Sequence, residues 1–184
     1  MQFETTELVD VWLIKPRRFS DDRGYFSETF RQDLFQDAVG KKVNFVQDNF
    51  SRSNQKGTLR GLHFQNPPFA QGKLIRCTRG RIQDVAIDIR KDSKTYGQSV
   101  SFELSEGNGH QLWIPEGFLH GFCTLEDNCD VAYKCTNYYS SECDANIRWD
   151  DPTLNIKWDL DTDKAVVSEK DKTAPYFKEF TSPF

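Results

Sequence analysis

The chain contains three histidines, at His63, His110 and His120. The imidazole of a histidine serves either as a metal ligand or as an acid–base group near neutral pH. His63 and His120 lie among apolar, strand-forming residues, in the segments GTLRGLHFQNPP and GHQLWIPEGFLHGF. His110 lies in the polar segment SEGNGHQ, which favours a solvent-exposed loop. A single histidine in a strand is most often structural, with ring nitrogens bonded to the backbone. The contexts of His63 and His120 nevertheless make these two the candidates for chemistry.

The spacing around these two histidines resembles the two motifs of the cupin family of small jelly-roll barrels. The first motif reads G-x5-H-x-Q from Gly57, and the second reads G-x5-P-x-G-x2-H from Gly109. Cupins normally take two histidines and a glutamate from the first motif as metal ligands. Here Gln65 replaces the second histidine, and the following NPPFAQGK contains no carboxylate. Because iron, manganese and zinc need three or four convergent ligands, the sequence predicts a cupin pocket without a metal.

The surrounding pattern predicts an all-β fold, a cupin-like jelly-roll barrel of antiparallel strands with a few short peripheral helices. Short alternating runs bounded by Gly, Asn, Asp or Pro are typical of such strands. We predict strands at 11–15, 57–64, 73–79, 81–90, 98–104, 111–114, 120–125 and 130–138. One helix is predicted at 27–39, where Phe30, Leu34 and Ala38 recur every fourth residue and Gly40 is the C-terminal cap.

Length and charge exclude several classes of protein. The 184 residues suit one domain, 1–184, in which the Asp-rich segment of about 149–184 is expected to pack against the barrel. A net charge of -4 argues against nucleic-acid binding, and no stretch is long and apolar enough to span a membrane. The five cysteines lack CxxC spacing and the N-terminus lacks the basic start of a signal peptide. We therefore expect a reduced, cytoplasmic protein.

Nine segments narrow the resemblance beyond the cupins. In order they are DDRGYFSETF, FVQDNFSRS, LRGLHFQ, QGKLIRC, DVAIDIRK, QLWIPEGFLHGF, YKCTNYY, IRWDDP and SEKD. Their order and spacing, over about 11–175, resemble the family of dTDP-4-dehydrorhamnose 3,5-epimerases, which are metal-free. The resemblance implies a dTDP-4-keto-6-deoxyhexose substrate, no cofactor, and a homodimer in which the neighbouring subunit helps to complete the nucleotide site.

The chemistry of such an enzyme requires a base, a proton donor and a group that stabilises an enolate. In a 4-keto sugar the protons at C3 and C5 are acidified by the carbonyl, and inversion needs the base and the donor on opposite faces of the ring. The resemblance implies that His63 is the base and that the carboxylate of Asp171 orients it. Tyr133 is then the proton donor and Lys73 the cation beside the enolate. His120 and Asp84 are assigned as a supporting dyad.

The resemblance also implies residues that bind the substrate. Arg23, Arg60 and Lys170 suit a diphosphate, and Tyr139 matches the position that stacks on thymine. The remaining assignments to substrate binding are Glu28, Gln47, Asp48, Asn49, Lys73, His120 and Asp144. Tyr133 and Tyr139 are six residues apart, so on one regular strand they would share a face and span about 20 Å.

Each of these residues also has a simpler structural explanation. Arg23 could be a solvated turn residue, Tyr139 a surface aromatic, Lys73 a snorkelling side chain, and Asp171 a helix cap. The spacing of Arg60 and His63 adds a question, because residues three apart on a regular strand point to opposite faces. Either Gly61 allows a bulge, or Arg60 reaches around the end of the strand.

Three alternative functions are consistent with parts of this pattern. A relative that inverts only one carbon would share the base, the donor and the nucleotide pocket. A non-catalytic cupin that binds sugar nucleotides would not need a base and an acid together. A metal-dependent cupin oxygenase or isomerase would need the missing ligands.

Overall fold

The computed structural model describes all 184 residues, and strands form most of its regular structure. In chain order the elements are β1 (Gln2–Thr5), β2 (Trp12–Lys15), β3 (Arg18–Asp21), β4 (Gly24–Ser27), α1 (Gln32–Val39), β5 (Gln47–Ser53), β6 (Thr58–Gln65), β7 (Lys73–Arg79), β8 (Arg81–Asp88), β9 (Ser99–Ser105), β10 (Gln111–Ile114), β11 (Phe118–Thr124), β12 (Cys129–Cys135), β13 (Asp144–Asn146), β14 (Val166–Val167) and α2 (Glu169–Lys172). Neither helix has the length and apolar character needed to cross a bilayer.

Two sheets face each other. Sheet I has the strand order β1-β2-β10-β7-β12-β5, and sheet II has the order β13-β6-β11-β8-β9, with β14 pairing in parallel on β6. The main core lies between the sheets, where Ile75 and Leu112 of sheet I pack with Ile82, Ala86 and Phe122 of sheet II. This confirms the predicted barrel of antiparallel strands with short peripheral helices. All eight predicted strands are present, with ends displaced by no more than three residues.

The C-terminal segment covers the outer face of sheet II. Leu154 and Phe177 pack against Leu62, Val85 and Ile87, whose side chains point away from the space between the sheets. On the opposite side of the barrel, α1 covers sheet I through buried aromatic and aliphatic side chains. Each sheet therefore has one face in the barrel interior, and polar residues on that face are the ones available for a site.

The predicted helix begins five residues later than expected. Residues 24–27 form β4, which pairs with β3 in a hairpin that uses Ser27 opposite Arg18, and Arg31 is still extended. The backbone of Ser27 is therefore committed to a ladder rather than to a helical turn. The predicted cap is confirmed, because Gly40 adopts a left-handed conformation with φ of 68° and its N–H bonds to the carbonyl of Gln36.

Strand β12 ends at Cys135 rather than near Tyr138. Beyond that point the chain leaves the ladder, and the N–H of Thr136 bonds to the carbonyl of Gly72 in a loop. The prediction that Tyr133 and Tyr139 share one face of a regular strand is therefore wrong. The sequence analysis also missed β5, in which exposed and partly buried residues alternate.

A bulge in β6 answers the question raised by Arg60 and His63. Opposite β11, His63 pairs with His120 and Arg60 pairs with Phe122, so three steps along β6 match two along β11. Gly61, within the bulge, has a φ of +127°, and a Cβ there would lie 2.6 Å from the Cα of Gly121. The extra residue rotates the strand, and both Arg60 and His63 line the same cavity. The bulge, and not the end of the strand, brings them together.

We predict that Gly61→Ala destabilises the fold strongly, because the new methyl group meets backbone atoms that cannot move aside and the positive φ adds strain. The expected loss in the free energy of unfolding, measured by urea denaturation, is roughly 2–4 kcal/mol. Gly24→Ala is the matched control, since Gly24 has a φ of +133° but open space around it. Equal losses in the two variants would contradict the importance of the close approach.

Candidate active site

A cleft between the two sheets collects most of the candidate residues. Its inner part is a cavity of about 460 Å³, with His63 and His120 on sheet II and Lys73 and Tyr133 on sheet I. An adjoining cavity of about 480 Å³ shares His63, Lys73 and Tyr133 and extends towards the end of β12. The two cavities form one elongated cleft, so a ligand with two dissimilar ends could lie along it.

His63 is held by a buried carboxylate. Its Nε2 lies 2.6 Å from Oδ1 of Asp171, and Oδ2 of Asp171 accepts a bond from the N–H of Gly61 at 3.5 Å. Burial alone would raise the pKa of Asp171, but the bonds and attraction from His63, with the bond from Ser168, lower it overall. Asp171 is therefore a stable anion, and the half-buried ring of His63 lines the cavity with no hydrogen bond at Nδ1.

The helix that carries Asp171 is capped by a different residue. Ser168, at the N-terminus of α2, accepts a bond from the N–H of Asp171 at 3.2 Å. The simpler explanation of Asp171 as a helix cap does not hold, because its side chain bonds to His63 and Gly61 instead. The short helix orients the carboxylate towards the barrel.

A second histidine–carboxylate pair lies beside the first. His120 Nε2 is 2.9 Å from Oδ1 and 3.1 Å from Oδ2 of Asp84, and both side chains are buried. His120 is the direct partner of His63 across β11 and β6. Each imidazole thus has its own carboxylate, and the two pairs share one side of the cleft.

Sheet I supplies the groups on the other side. Lys73 forms no ion pair, and burial lowers its pKa despite attraction from Cys135, Asp144 and Asp84. Burial also raises the pKa of the Tyr133 phenol above its usual value. At neutral pH the phenol therefore keeps its proton and can donate it.

The far end of the cleft holds a polar cluster around Tyr139. The hydroxyl of Tyr139 donates to Asp144 Oδ2 at 3.3 Å, and the ammonium of Lys170 pairs with the same carboxylate. On β5, Gln47 Nε2 donates to Asn49 Oδ1 at 3.1 Å, and Gln47 Oε1 accepts from the N–H of Tyr139 at 3.0 Å. Five of the predicted substrate-binding residues therefore meet in one place.

The guanidinium of Arg60 is fixed beside the inner cavity, which it lines together with His63. Its Nε donates to Ser53 Oγ at 3.2 Å, and an NH2 group donates to the carbonyl of Arg52 at 3.1 Å. Arg52 is itself held by Asp130 through two bonds of 2.8 Å. Arg60 carries no ion pair of its own, so its charge is available to an anion.

Three predicted substrate-binding residues are not brought to the cleft by this chain. Arg23 lies on the β3–β4 hairpin with a side chain 90% exposed, paired only with Asp21. Glu28 follows that hairpin and is also exposed. Asp48 points to the outer face of sheet I, where it pairs with Lys134 at 3.0 Å, because it alternates along β5 with Gln47 and Asn49.

Sequence reasoning missed three residues that support the site. Ser53 lies on the same face of β5 as Gln47 and Asn49, so the period of two in QDNFSRS was the available signal. Ser168 precedes the acidic turn of SEKD, which is the pattern of a helix N-cap. Gln65, noted only as the replacement of a histidine, bonds to the loops at the end of the cleft.

The arrangement can perform acid–base chemistry. An imidazole paired with a carboxylate stands on one side of the cleft, and a protonated phenol with a lysine stands on the other. No three or more His, Cys, Asp or Glu side chains group closely enough to hold a metal ion. Arginine and lysine along the cleft suit a substrate with a negatively charged part.

Comparisons with known proteins agree with this geometry. The family model described as dTDP-4-dehydrorhamnose 3,5-epimerase matches residues 5–179. A protein named dTDP-4-dehydrorhamnose 3,5-epimerase from Sinorhizobium fredii is 52% identical over 184 residues, which is 100% of this chain and 93% of that protein.

Two solved structures have the same fold. The crystal structure of dTDP-4-dehydrorhamnose 3,5-epimerase from Elizabethkingia anophelis superposes with a TM-score of 0.94 at 41% identity, over 97% of each chain. The dTDP-6-deoxy-D-glucose-3,5-epimerase from Legionella pneumophila, solved with dTDP-4-keto-L-rhamnose, has a TM-score of 0.91 at 44% identity, over 96% of this chain and 93% of its own.

We predict that Asp171→Asn changes how stability depends on pH. The pKa of Asp171 is lowered in the folded protein, so its charge stabilises the fold fully above the unfolded value of about 3.9, and this contribution is lost as pH falls through the folded value. Relative to the wild type, Asp171→Asn should lower the free energy of unfolding by about 1–3 kcal/mol at pH 7 and by progressively less below pH 4. Urea denaturation across pH measures this.

The control for this experiment is Asp37→Asn, since Asp37 is an exposed helix residue without an ion pair. It should follow the wild type at every pH. A loss in Asp171→Asn that stays constant from pH 7 to pH 3 would show that the carboxylate charge does not contribute.

Proposed function

The chain belongs to the dTDP-4-dehydrorhamnose 3,5-epimerase family, and we propose that it carries out this isomerisation with His63 as the base and Tyr133 as the proton donor. The reaction inverts C3 and C5 of dTDP-4-dehydro-6-deoxy-D-glucose to give dTDP-4-dehydro-L-rhamnose, in the biosynthesis of dTDP-L-rhamnose. The observation that carries the proposed roles is the position of an imidazole–carboxylate pair and a protonated phenol on opposite sheets of one cleft.

The proposed mechanism begins with proton removal next to the ketone. His63 takes the proton from C3 or C5 through the ring nitrogen that does not contact Asp171, and the carboxylate stabilises the imidazolium that forms. The resulting enolate carries negative charge at the oxygen on C4. Lys73, which has no carboxylate partner of its own, supplies the positive charge that stabilises this oxygen.

Inversion follows when the proton returns from the other face of the ring. Tyr133 lies on sheet I, opposite His63 on sheet II, so it can deliver a proton to the face from which none was removed. The raised pKa of the phenol keeps it protonated until the enolate is ready to accept. His120, paired with Asp84, stands beside His63 and supports the polar environment of the sugar.

In this proposal the nucleotide extends from Arg60 in the inner cavity to Tyr139 in the adjoining cavity. Arg60 binds the diphosphate with a guanidinium already oriented by Ser53 and Arg52, so little side-chain entropy is lost on binding. Tyr139, with 59% of its surface exposed, stacks on the thymine, and Lys170 lies close by. Gln47 and Asn49 then face the nucleotide from β5.

A homodimer is the second part of the proposal, and the β3–β4 hairpin supports it. This hairpin pairs only with itself, and its Phe19 and Phe26 stand side by side, 51% and 70% exposed, with ring centroids 6.5 Å apart. Arg23 and Glu28 lie on or beside it, away from the cleft of their own chain. We propose that the hairpin binds a second copy, where these two residues reach the substrate.

The cellular location of the protein is also a proposal. The five cysteines are all free thiols, and four of them are buried. Thiols persist in the reducing environment of the cytoplasm, which supports a cytoplasmic location.

An isotope experiment tests the proposed roles. In deuterated water we expect deuterium at both C3 and C5 of the product, as read by NMR. His63→Ala should reduce exchange by about 10²-fold or more while dTDP affinity changes little. Tyr133→Phe should still exchange protons at C3 and C5 on the face of the sugar ring next to His63, but it should no longer invert these carbons.

Each component of the proposal has a result that contradicts it. Deuterium at a single carbon would indicate a one-carbon epimerase, and turnover retained in His63→Ala would remove the base assignment. Inversion at the wild-type rate in Tyr133→Phe would show that another group returns the proton. Binding of dTDP without any exchange would leave only a sugar-nucleotide binding protein.

A separate prediction concerns the hairpin. The double variant Phe19→Ser, Phe26→Ser should sediment as a monomer in analytical ultracentrifugation, because the apolar contacts between subunits are lost. It should also bind dTDP about ten-fold or more weakly, because Arg23 and Glu28 no longer reach the cleft of the second copy. Arg23→Ala should remain dimeric and raise KM. Val9→Ser, at an exposed residue outside the hairpin, is the control and should remain dimeric. A monomeric wild type would refute the proposal.

A further inference from the structure

Gln65, the last residue of β6, is a buried amide that bonds only to loop backbone. It is 4% exposed. Its Nε2 donates to the carbonyls of Phe69 and Tyr138 at 2.5 Å and 3.1 Å, and its Oε1 accepts from the N–H of Ser140 at 2.8 Å. Two carbonyls require the nitrogen and one N–H requires the oxygen, so these partners fix the orientation of the amide. Gln65 therefore ties a strand of sheet II to the chain that follows β12 of sheet I.

The bonds to Gln65 bracket Tyr139. Tyr138 contributes its carbonyl, Ser140 contributes its N–H, and the N–H of Tyr139 itself bonds to Gln47. This segment lies beyond the end of β12, so no neighbouring strand holds its backbone. Side-chain amides satisfy the peptide groups that a ladder would otherwise satisfy. The conformation of the backbone at Tyr139 thus depends on two glutamines.

The ring of Tyr139 is largely exposed, whereas the backbone around it is held by hydrogen bonds. It is 59% exposed beside the cleft, and its hydroxyl makes one bond, to Asp144. A ring that stacks on a base must present its face at a fixed angle, and the surrounding side chains do not enclose it. The angle must therefore come from the backbone on either side.

We propose that Gln65 is a positioning residue for nucleotide binding, which holds the Tyr139 ring at the angle that stacks on the base. The inference rests on the proposed role of Tyr139. Without Gln65 the segment samples other conformations, and the apparent affinity falls in proportion to the fraction of molecules with the ring in place. Steps at the sugar ring, which depend on His63 and Tyr133, are unaffected once the substrate is bound.

The test is Gln65→Met, which keeps the length of the side chain and removes all three bonds. We expect Kd for dTDP and KM for the sugar nucleotide to rise about ten-fold while kcat stays within about two-fold. Gln65→Asn keeps an amide but is too short to reach the same partners, and it should give the same change in KM if Gln65→Met does not fold.

A matched control is present on β8. Gln83 is also 4% exposed, its Nε2 donates to Ser101 Oγ and the carbonyl of Lys157 at 2.8 Å each, and its Oε1 accepts from the N–H of Asp159 at 2.7 Å. The Oε1 also accepts from the Cys123 thiol at 3.4 Å. Gln83→Met therefore removes at least as many buried bonds as Gln65→Met, at a place that does not contact the Tyr139 segment. It should lower Tm at least as much as Gln65→Met and leave KM unchanged.

A double-mutant cycle with Tyr139→Ala separates positioning from direct contact and from general loosening. If Gln65 acts through Tyr139, Gln65→Met should add no further increase in Kd once the ring is absent. An additive increase would overturn the inference, as would an unchanged Kd in a folded Gln65→Met protein. If Tyr139→Ala leaves Kd unchanged, the proposed stacking role itself fails, and this inference fails with it.

Discussion

The close approach of two glycine backbones, at Gly61 on β6 and Gly121 on β11, is the constraint on which the cleft depends. A side chain at Gly61 would collide with the neighbouring strand, and only glycine adopts its backbone angle without cost. This contact lets β6 carry one more residue than β11, so the side chains before and after the bulge point into the same space. Arg60 and His63 then lie in one cleft, which a regular strand would have prevented.

The bulge also connects the barrel to the C-terminal segment. The N–H of Gly61 points at Asp171, and the same carboxylate holds His63. Asp171 reaches this position because β14, just before it in the chain, pairs with the start of β6. The C-terminal segment on either side of Asp171 also packs on the outer face of sheet II, through Leu154 and Phe177. The imidazole–carboxylate pair of His63 and Asp171 is thus made from a barrel strand and a distant helix, and its orientation depends on the packing of the C-terminal segment.

The two sides of the cleft differ in their electrostatics. On sheet II each histidine lies within hydrogen-bond distance of its own carboxylate. On sheet I burial raises the pKa of Tyr133, which keeps the phenol protonated, and lowers the pKa of the Lys73 ammonium from its usual value. A proton can therefore be accepted on one side and donated from the other, as inversion requires. Gln65, at the position where cupins carry a metal-binding histidine, bonds to none of these groups and connects β6 to the loops around Phe69 and Tyr139 instead.

The sequence by itself determined the class of fold, the positions of eight strands, and the residues with the right chemistry, such as His63, Lys73 and Tyr133. Alternation, turn residues and functional groups are local properties, and the order of nine segments fixed the family resemblance. Only the tertiary structure decided that β6 contains a bulge, that β12 ends at Cys135, and that Arg23 does not line the cleft. These features depend on contacts between residues distant in the chain: Gly61 meets Gly121 across a ladder, the 136–140 segment bonds to Gly72 and Gln65, and the hairpin uses Ser27 opposite Arg18. A local pattern does not carry that information, because the free energy that selects each conformation comes from the partner and not from the segment itself.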